Sequence, residues 1–139
     1  MFCREHAAQL RGRYDEVKAA GGDIVAIGTG DPRYAAAFVT EENIPFAVFI
    51  DEDGDAAKAA SLKGGASALL RMASPSVIKG GARARKAGHR QHKSGERPLQ
   101  LGGTFVLGPG RQSVYEHLDA DFADHAPLDE VLAALISAP

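Results

Sequence analysis

The chain has 139 residues, 45% of them hydrophobic and 24% charged, with a formal net charge of −2. Such values suit one soluble globular domain that buries its own core, and they exclude a disordered or low-complexity chain. Cys3 is the single cysteine, so no internal disulfide can form, and no apolar run approaches the roughly 18 residues a membrane helix needs.

From residue 3 to about 20, Ala7, Leu10, Tyr14 and Val17 recur at helical spacing, and Gly21-Gly22 supplies a helix stop. Asp23 to Gly28 is a short, β-branched apolar run and reads as a buried strand. After the Gly28-Thr29-Gly30 loop, Asp31-Pro32 opens a second helix carrying Tyr34, Ala35, Phe38 and Val39. Pro45 ends that pattern. Phe46 to Ile50 then form a second strand, and Asp51-Glu52-Asp53-Gly54 a turn. A short helix is expected over 55–62 and one or two more over 64–87, split by Pro75, with loop from Gly88 to Gln100. Thr104–Leu107, Gly108-Pro109-Gly110 and Ser113–Tyr115 read as strand, turn, strand. The last helix starts near Pro127, with Asp129 and Glu130 favourably placed in its first turn.

Charge is divided unevenly along this order. Lys63, Arg71, Lys79, Arg83, Arg85, Lys86, Arg90, Lys93 and Arg97 face only Glu96 within their stretch, which makes it +8 against −10 for the remainder. With no aromatic residue for base stacking, the stretch reads as a solvated face matched to the acidic remainder rather than a nucleic-acid site. Strands alternating with helices predict an α/β domain with a mostly parallel sheet. The chain nevertheless opens on a helix, with no strand before it.

Cys3 is the first chemical candidate. At a helix N-terminus, unpaired backbone N–H groups and the positive end of the dipole favour a thiolate. Arg4 adds positive charge, and His6 lies one turn on. Such a thiolate could attack a peroxide or a disulfide. His125 after Asp124, and His117 at the end of the hairpin, could orient or deprotonate a substrate, although a capping or surface role is the simpler reading for both. His89 and His92 have metal-ligand spacing, but their cationic surroundings disfavour a metal, and none is expected. Gly28-Thr29-Gly30 lacks the remaining features of a phosphate loop.

Phe2-Cys3-Arg4-Glu5-His6-Ala7-Ala8-Gln9-Leu10 resembles the segment following a thioredoxin-like Cys-x-x-Cys, in particular that of the alkyl hydroperoxide reductase and thiol-specific antioxidant (AhpC/TSA) peroxiredoxin-like proteins. The resemblance continues through Gly30-Asp31-Pro32, Val48–Gly54, Gly102–Gly110 and Asp124-His125-Ala126-Pro127. It implies a single thioredoxin-like domain over 1–139: a three-layer sandwich with a mixed sheet, flanking helices and a basic helical insert at about 63–100. It also implies that a central strand belongs before Cys3, with a first cysteine one place before Met1. Met1 is then expected to be an internal methionine of a fuller Cys-Met-Phe-Cys protein, and the chain as given to be poorly stable.

Two roles for Cys3 follow from the resemblance: a resolving thiol without its partner, or the peroxidatic cysteine. Cys3, Arg4 and His6 are the implied catalytic residues; Gly102, Gly103, Thr104 and His125 line the substrate. Two departures stand out: glycine, around Gly102-Gly103, replaces the arginine that peroxiredoxins bring near the thiolate, and Gly103 takes the place of the cis-proline of thioredoxins. The implied function is peroxide or disulfide reduction with an external thiol reductant, in the cytoplasm. No metal, organic cofactor or membrane is expected, and a homodimer is allowed for. The other reading is a non-catalytic interaction module that holds a partner through the basic insert.

Overall fold

The computed structural model describes residues 2–65, 75–86 and 99–138. Two helices come first, α1 (Phe2–Gly12) and α2 (Tyr14–Ala19). The single helix expected over 3–20 is therefore interrupted at Arg13, whose φ of −113° and ψ of 7° leave the helical region. Gly12 weakens the helix at that point, and the Arg13 side chain turns outward to Glu16 and Asp129. The stop at Gly21 is as expected. With φ +80°, Gly21 takes the left-handed conformation, its N–H donates to the Lys18 carbonyl, and that of Gly22 donates to Val17. Together these bonds satisfy the carbonyls that the end of α2 would leave open.

β1 (Val25–Gly28) pairs in parallel with β2 (Ala47–Ile50), Val25 opposite Ala47 and Ile27 opposite Phe49. Between them runs α3 (Pro32–Glu41), capped by the Asp31 carboxylate, which accepts from Arg33 N–H at 2.7 Å, with Pro32 in the first turn. α4 (Asp55–Ala59) follows β2. Its free N–H groups at Ala56 and Ala57 donate to the Asp51 carboxylate at 3.2 and 3.1 Å. It stops at Ala59, short of the 55–62 span expected.

One face of the β1–β2 pair is the core face. Ala26 and Val48 pack there on buried Ala7, Ile44 and Phe46, with Leu10, Tyr14, Phe38 and Val39 around them. The opposite face is open: Val25, Ile27 and Phe49 are each 58% exposed. The run from Asp23 to Gly28 is thus half-buried, not buried on both sides as its composition suggested, because no described element covers the second face.

α5 (Pro75–Lys86) belongs to the basic stretch, and the other residues of that stretch fall largely outside the described ones, His89 and His92 included. Its anchors are an Arg83–Glu5 pair, Nε to Oε1 at 2.6 Å, and a hydrogen bond from Ser76 to Asp121. The pair matches the expected electrostatic fit between basic stretch and acidic remainder at one point.

β3 (Gly103–Leu107) and β4 (Ser113–Leu118) form the expected hairpin, joined by a 3₁₀ turn at Pro109–Arg111. β4 runs three residues further than its apolar pattern indicated, carried by ladder pairs such as Thr104 with His117. α6 (Leu128–Ser137) closes the chain, burying Leu132. The architecture is a mixed α/β arrangement of small sheets, compatible with a thioredoxin-like fold. Among the described residues the four strands form two separate pairs, one parallel and one antiparallel, in place of the mostly parallel sheet expected.

Candidate functional site

Cys3 occupies the first turn of α1, and His6 follows on the same helix face. The hairpin delivers the opposing groups. His117 lies in β4, and Asp119 stands one residue beyond that strand, its N–H donating to the Gly102 carbonyl at 3.1 Å. The loop that follows is held by its own carboxylates: Ala120 N–H donates to Asp124 at 2.7 Å and Ala123 N–H to Asp121 at 2.8 Å. That loop carries His125 back against α1, where its ring stacks on His6 with centroids 4.5 Å apart and planes at 24°.

Asp119 is the centre of the group. Its side chain is 7% exposed, and Oδ2 lies 3.2 Å from Nδ1 of His125. His117 Nε2 stands 3.9 Å from Asp119 Oδ1 and 3.4 Å from Asp124 Oδ1. Asp119 Oδ1, His125 Nε2 and His6 Nδ1 are buried without a hydrogen-bond partner among the described residues. Burial, then the neighbouring His125, push His6 down to about 4, so it is neutral at neutral pH. Among the described residues no group of three or more His, Cys, Asp or Glu side chains is arranged to hold a metal ion.

Gly102 and Gly103 touch this group through the backbone. A Cβ on Gly102 would come within 2.7 Å of Asp119 Oδ2, so the carboxylate lies where a side chain would otherwise be. On Gly103 it would meet Leu62 Cδ2 at 2.8 Å and the His117 carbonyl at 3.0 Å. Thr104 sits opposite His117 in the ladder.

Two expectations about the thiol need correction. Cys3 is exposed at the surface, yet the protein packed around its sulfur removes solvation and raises its pKa above the ordinary thiol value, and the Asp119 charge pushes the same way. A backbone hydrogen bond pulls downward but does not prevail, so the helix end fails to give the acidic thiol expected there. Arg4, second, is directed elsewhere. Its guanidinium bonds Glu41 at 2.7 Å and Glu42 at 2.9 Å and lies 5.7 Å from the Phe38 ring centroid. It thus ties α1 to the C-terminal end of α3, where a cation is favoured. Glu5 is likewise engaged, by Arg83.

The arrangement unites His6 and His125, which lie more than a hundred positions apart in the chain, with Cys3 one turn before His6 on α1 and Gly102 against Asp119. Sequence reasoning missed Asp119. It lies in the acidic run Asp119, Asp121, Asp124, which looks like an ordinary polar loop, and only its burial distinguishes it from the other two.

Residues 9–121 match the family described as AhpC/TSA antioxidant enzyme. The chain belongs to the AhpC/TSA family. Among curated relatives, it is 30% identical over 139 residues to "Peroxiredoxin-like 2A" of Danio rerio, covering 96% of this chain and 61% of that protein. It is 26% identical over 140 residues to "Thioredoxin-like protein AAED1, chloroplastic" of Arabidopsis thaliana, covering 96% of this chain and 56% of that one. The chain thus spans somewhat over half the length of these relatives. The AhpC/TSA match includes His117 and Asp119, whereas Cys3, His6 and His125 fall outside it.

Proposed function

We propose that this AhpC/TSA chain is a thiol-dependent oxidoreductase of the peroxiredoxin-like kind, reducing a peroxide or disulfide through Cys3. The observation that carries the reading is a convergence: the single cysteine of a chain in this family stands on the helix face that meets the buried His6–His125–Asp119 group. In its peroxide form the reaction begins with the Cys3 thiolate attacking one peroxide oxygen. A sulfur–oxygen bond forms and the oxygen–oxygen bond breaks, leaving a sulfenic acid on Cys3, while the other peroxide oxygen takes up a proton and departs as water or an alcohol. An external thiol then restores Cys3, forming a disulfide with a second thiol and releasing water. A reducing compartment such as the cytoplasm suits that cycle. No metal or organic cofactor is needed for these steps.

We read the architecture in finer detail as one thioredoxin-like domain over 1–139, with β1 and β3 flanking a further central strand. Among the described residues β1 and β3 each pair along one edge only, which leaves the other edge of each open to a further strand and supports this.

Stopped-flow mixing with hydrogen peroxide tests the function. The expected result is a second-order oxidation that disappears in Cys3→Ser. Equal peroxide consumption by the two proteins would remove the proposal. One observation favours the non-catalytic alternative: the thiol is held above, not below, its ordinary pKa. On that reading α5, with Lys79 and Lys86, holds a partner, and Cys3→Ser leaves partner binding intact.

A further inference from the structure

We propose that the outer edge of β2, with the apolar groove beside it, receives an extended segment of a partner protein that is apolar at successive positions and flanked by lysine or arginine. The surface uses none of the thiol-site residues and does not depend on the oxidoreductase reading. Among the described residues β2 pairs with β1 alone, so its second edge is open. The central strand proposed above takes the other edge of β1 and leaves that of β2 free. Asp51 N–H donates to the Gly28 carbonyl at 2.8 Å, toward β1. Backbone groups alternate in direction along a strand, so the N–H and C=O of Val48 and Ile50 point to the outer side. Edge strands are commonly blunted by charge, proline or a bulge. Ala47, Val48, Phe49 and Ile50 carry no charge and no proline, and their register with β1 is unbroken.

A groove of about 450 Å³ runs between β2 and α3. Val48 and Ile50 form one wall, and Ala36, Val39 and Thr40 the other. α3 is largely apolar, yet none of its residues is fully buried. It packs inward through Phe38 and Val39 and leaves Ala36 and Thr40 exposed along the groove. Thr40 donates its hydroxyl to the Ala36 carbonyl at 3.0 Å, so that wall holds no free donor. Residues paired across neighbouring strands share a face of the sheet. Side chains of an added strand level with Val48 and Ile50 therefore enter the groove. Those level with Phe49 meet its ring, which is 58% exposed on the opposite face. Both faces of the added strand are thus apolar. Because β2 is short, its ladder is limited to Val48 and Ile50, and the groove supplies most of the contact.

Charge selects the flanks of the occupant. β2 runs directly into Asp51, Glu52 and Asp53, with Asp55 opening α4, and Asp31 caps α3. Across residues 31–40 and 47–59 the cations are Arg33 and Lys58. Both are already paired, Arg33 with Asp31 and Lys58 with Asp55, each at 3.0 Å. The end of the edge is therefore acidic, and a lysine or arginine beside the apolar run of the partner complements it. A second copy of this edge brings the same carboxylates and no cation, which disfavours self-pairing.

The test titrates the full chain into a fluorescently labelled, capped peptide of alternating valine and isoleucine between paired lysines, followed by anisotropy. Saturable binding is expected, and Ala36→Arg, which fills the groove from an exposed helix position, should weaken it about tenfold. A peptide with glutamates for lysines should bind about tenfold more weakly, and added salt should weaken the lysine peptide. Backbone methylation of the peptide tests strand pairing without altering the protein. Methylating one alternate set of amides should cost about tenfold and methylating the other set little, because only one set faces β2. No binding, equal losses from the two methylated sets, or equal affinity for the glutamate peptide overturns the proposal. A dimer of the unaltered chain that Ala36→Arg dissociates overturns it as well, since a second copy then occupies this edge. Should Ala36→Arg fail to fold, the methylated peptides decide.

Discussion

Acidification from pH 7 to pH 4 is expected to cost the fold about 3 kcal/mol through His6 alone. The native protein holds this imidazole at about 4, against 6.5 for an unperturbed histidine, because it is buried and stacked on a second histidine. Between those two values the unfolded chain binds a proton that the native chain does not. Stability therefore rises with pH through this window: it is present in full above pH 6.5 and is lost progressively as the pH falls toward 4. Asp119 opposes the depression without reversing it. Urea unfolding between pH 4 and 8 measures the effect. His6→Gln should remove about 3 kcal/mol of the pH-dependence, isolating it from that of the carboxylates. Parallel profiles for the two proteins would mean that the imidazole is not held neutral.

The second large effect lies in the joint that holds α1 over the sheet. Phe46 is 6% exposed and packs with Ala7 of α1 and with Ile44, and its ring centroid lies 5.8 Å from that of Tyr14. Phe46→Ala is expected to destabilise the chain by about 3–5 kcal/mol, the usual cost of an emptied aromatic site. That is a large share of the roughly 5–15 kcal/mol that holds a domain of this kind together. A lower urea midpoint at unchanged slope is the signature to look for. A shift of less than about 1 kcal/mol would show that α1, and with it Cys3, is held by something other than this cluster. Because Cys3 and His6 ride on α1, a milder truncation, Phe46→Leu, should weaken the stacking with His125 before the fold is lost.

How far the sequence carried depended on whether a signal was local. Asp31-Pro32 announced the start of α3, because a cap and a pre-set φ act within one turn. Gly21 announced the end of α2 for the same reason, and the Gly108-Pro109-Gly110 turn located the hairpin. What depended on distant packing was not legible. The apolar run of β1 looked the same whether covered on one face or two, and only the assembled sheet exposes Val25 and Ile27. Likewise, the helix-end argument for Cys3 was sound locally, yet it was outweighed by crowding and by a carboxylate 116 positions away in the chain. Arg4 beside the thiol in sequence suggested a helper, whereas the fold spends it on Glu41 and Glu42. His125 could be marked as a candidate, but its partner Asp119 could not, since burial alone sets that acid apart from its neighbours.

The most direct measurement is chemical trapping at the sulfur. Protein treated at pH 8 with one equivalent of hydrogen peroxide in the presence of dimedone should acquire a single adduct, mapping by peptide mass to Cys3 and missing from Cys3→Ser. A Cys3 that alkylates readily under the same conditions, yet yields no dimedone adduct, would contradict a redox role for this thiol.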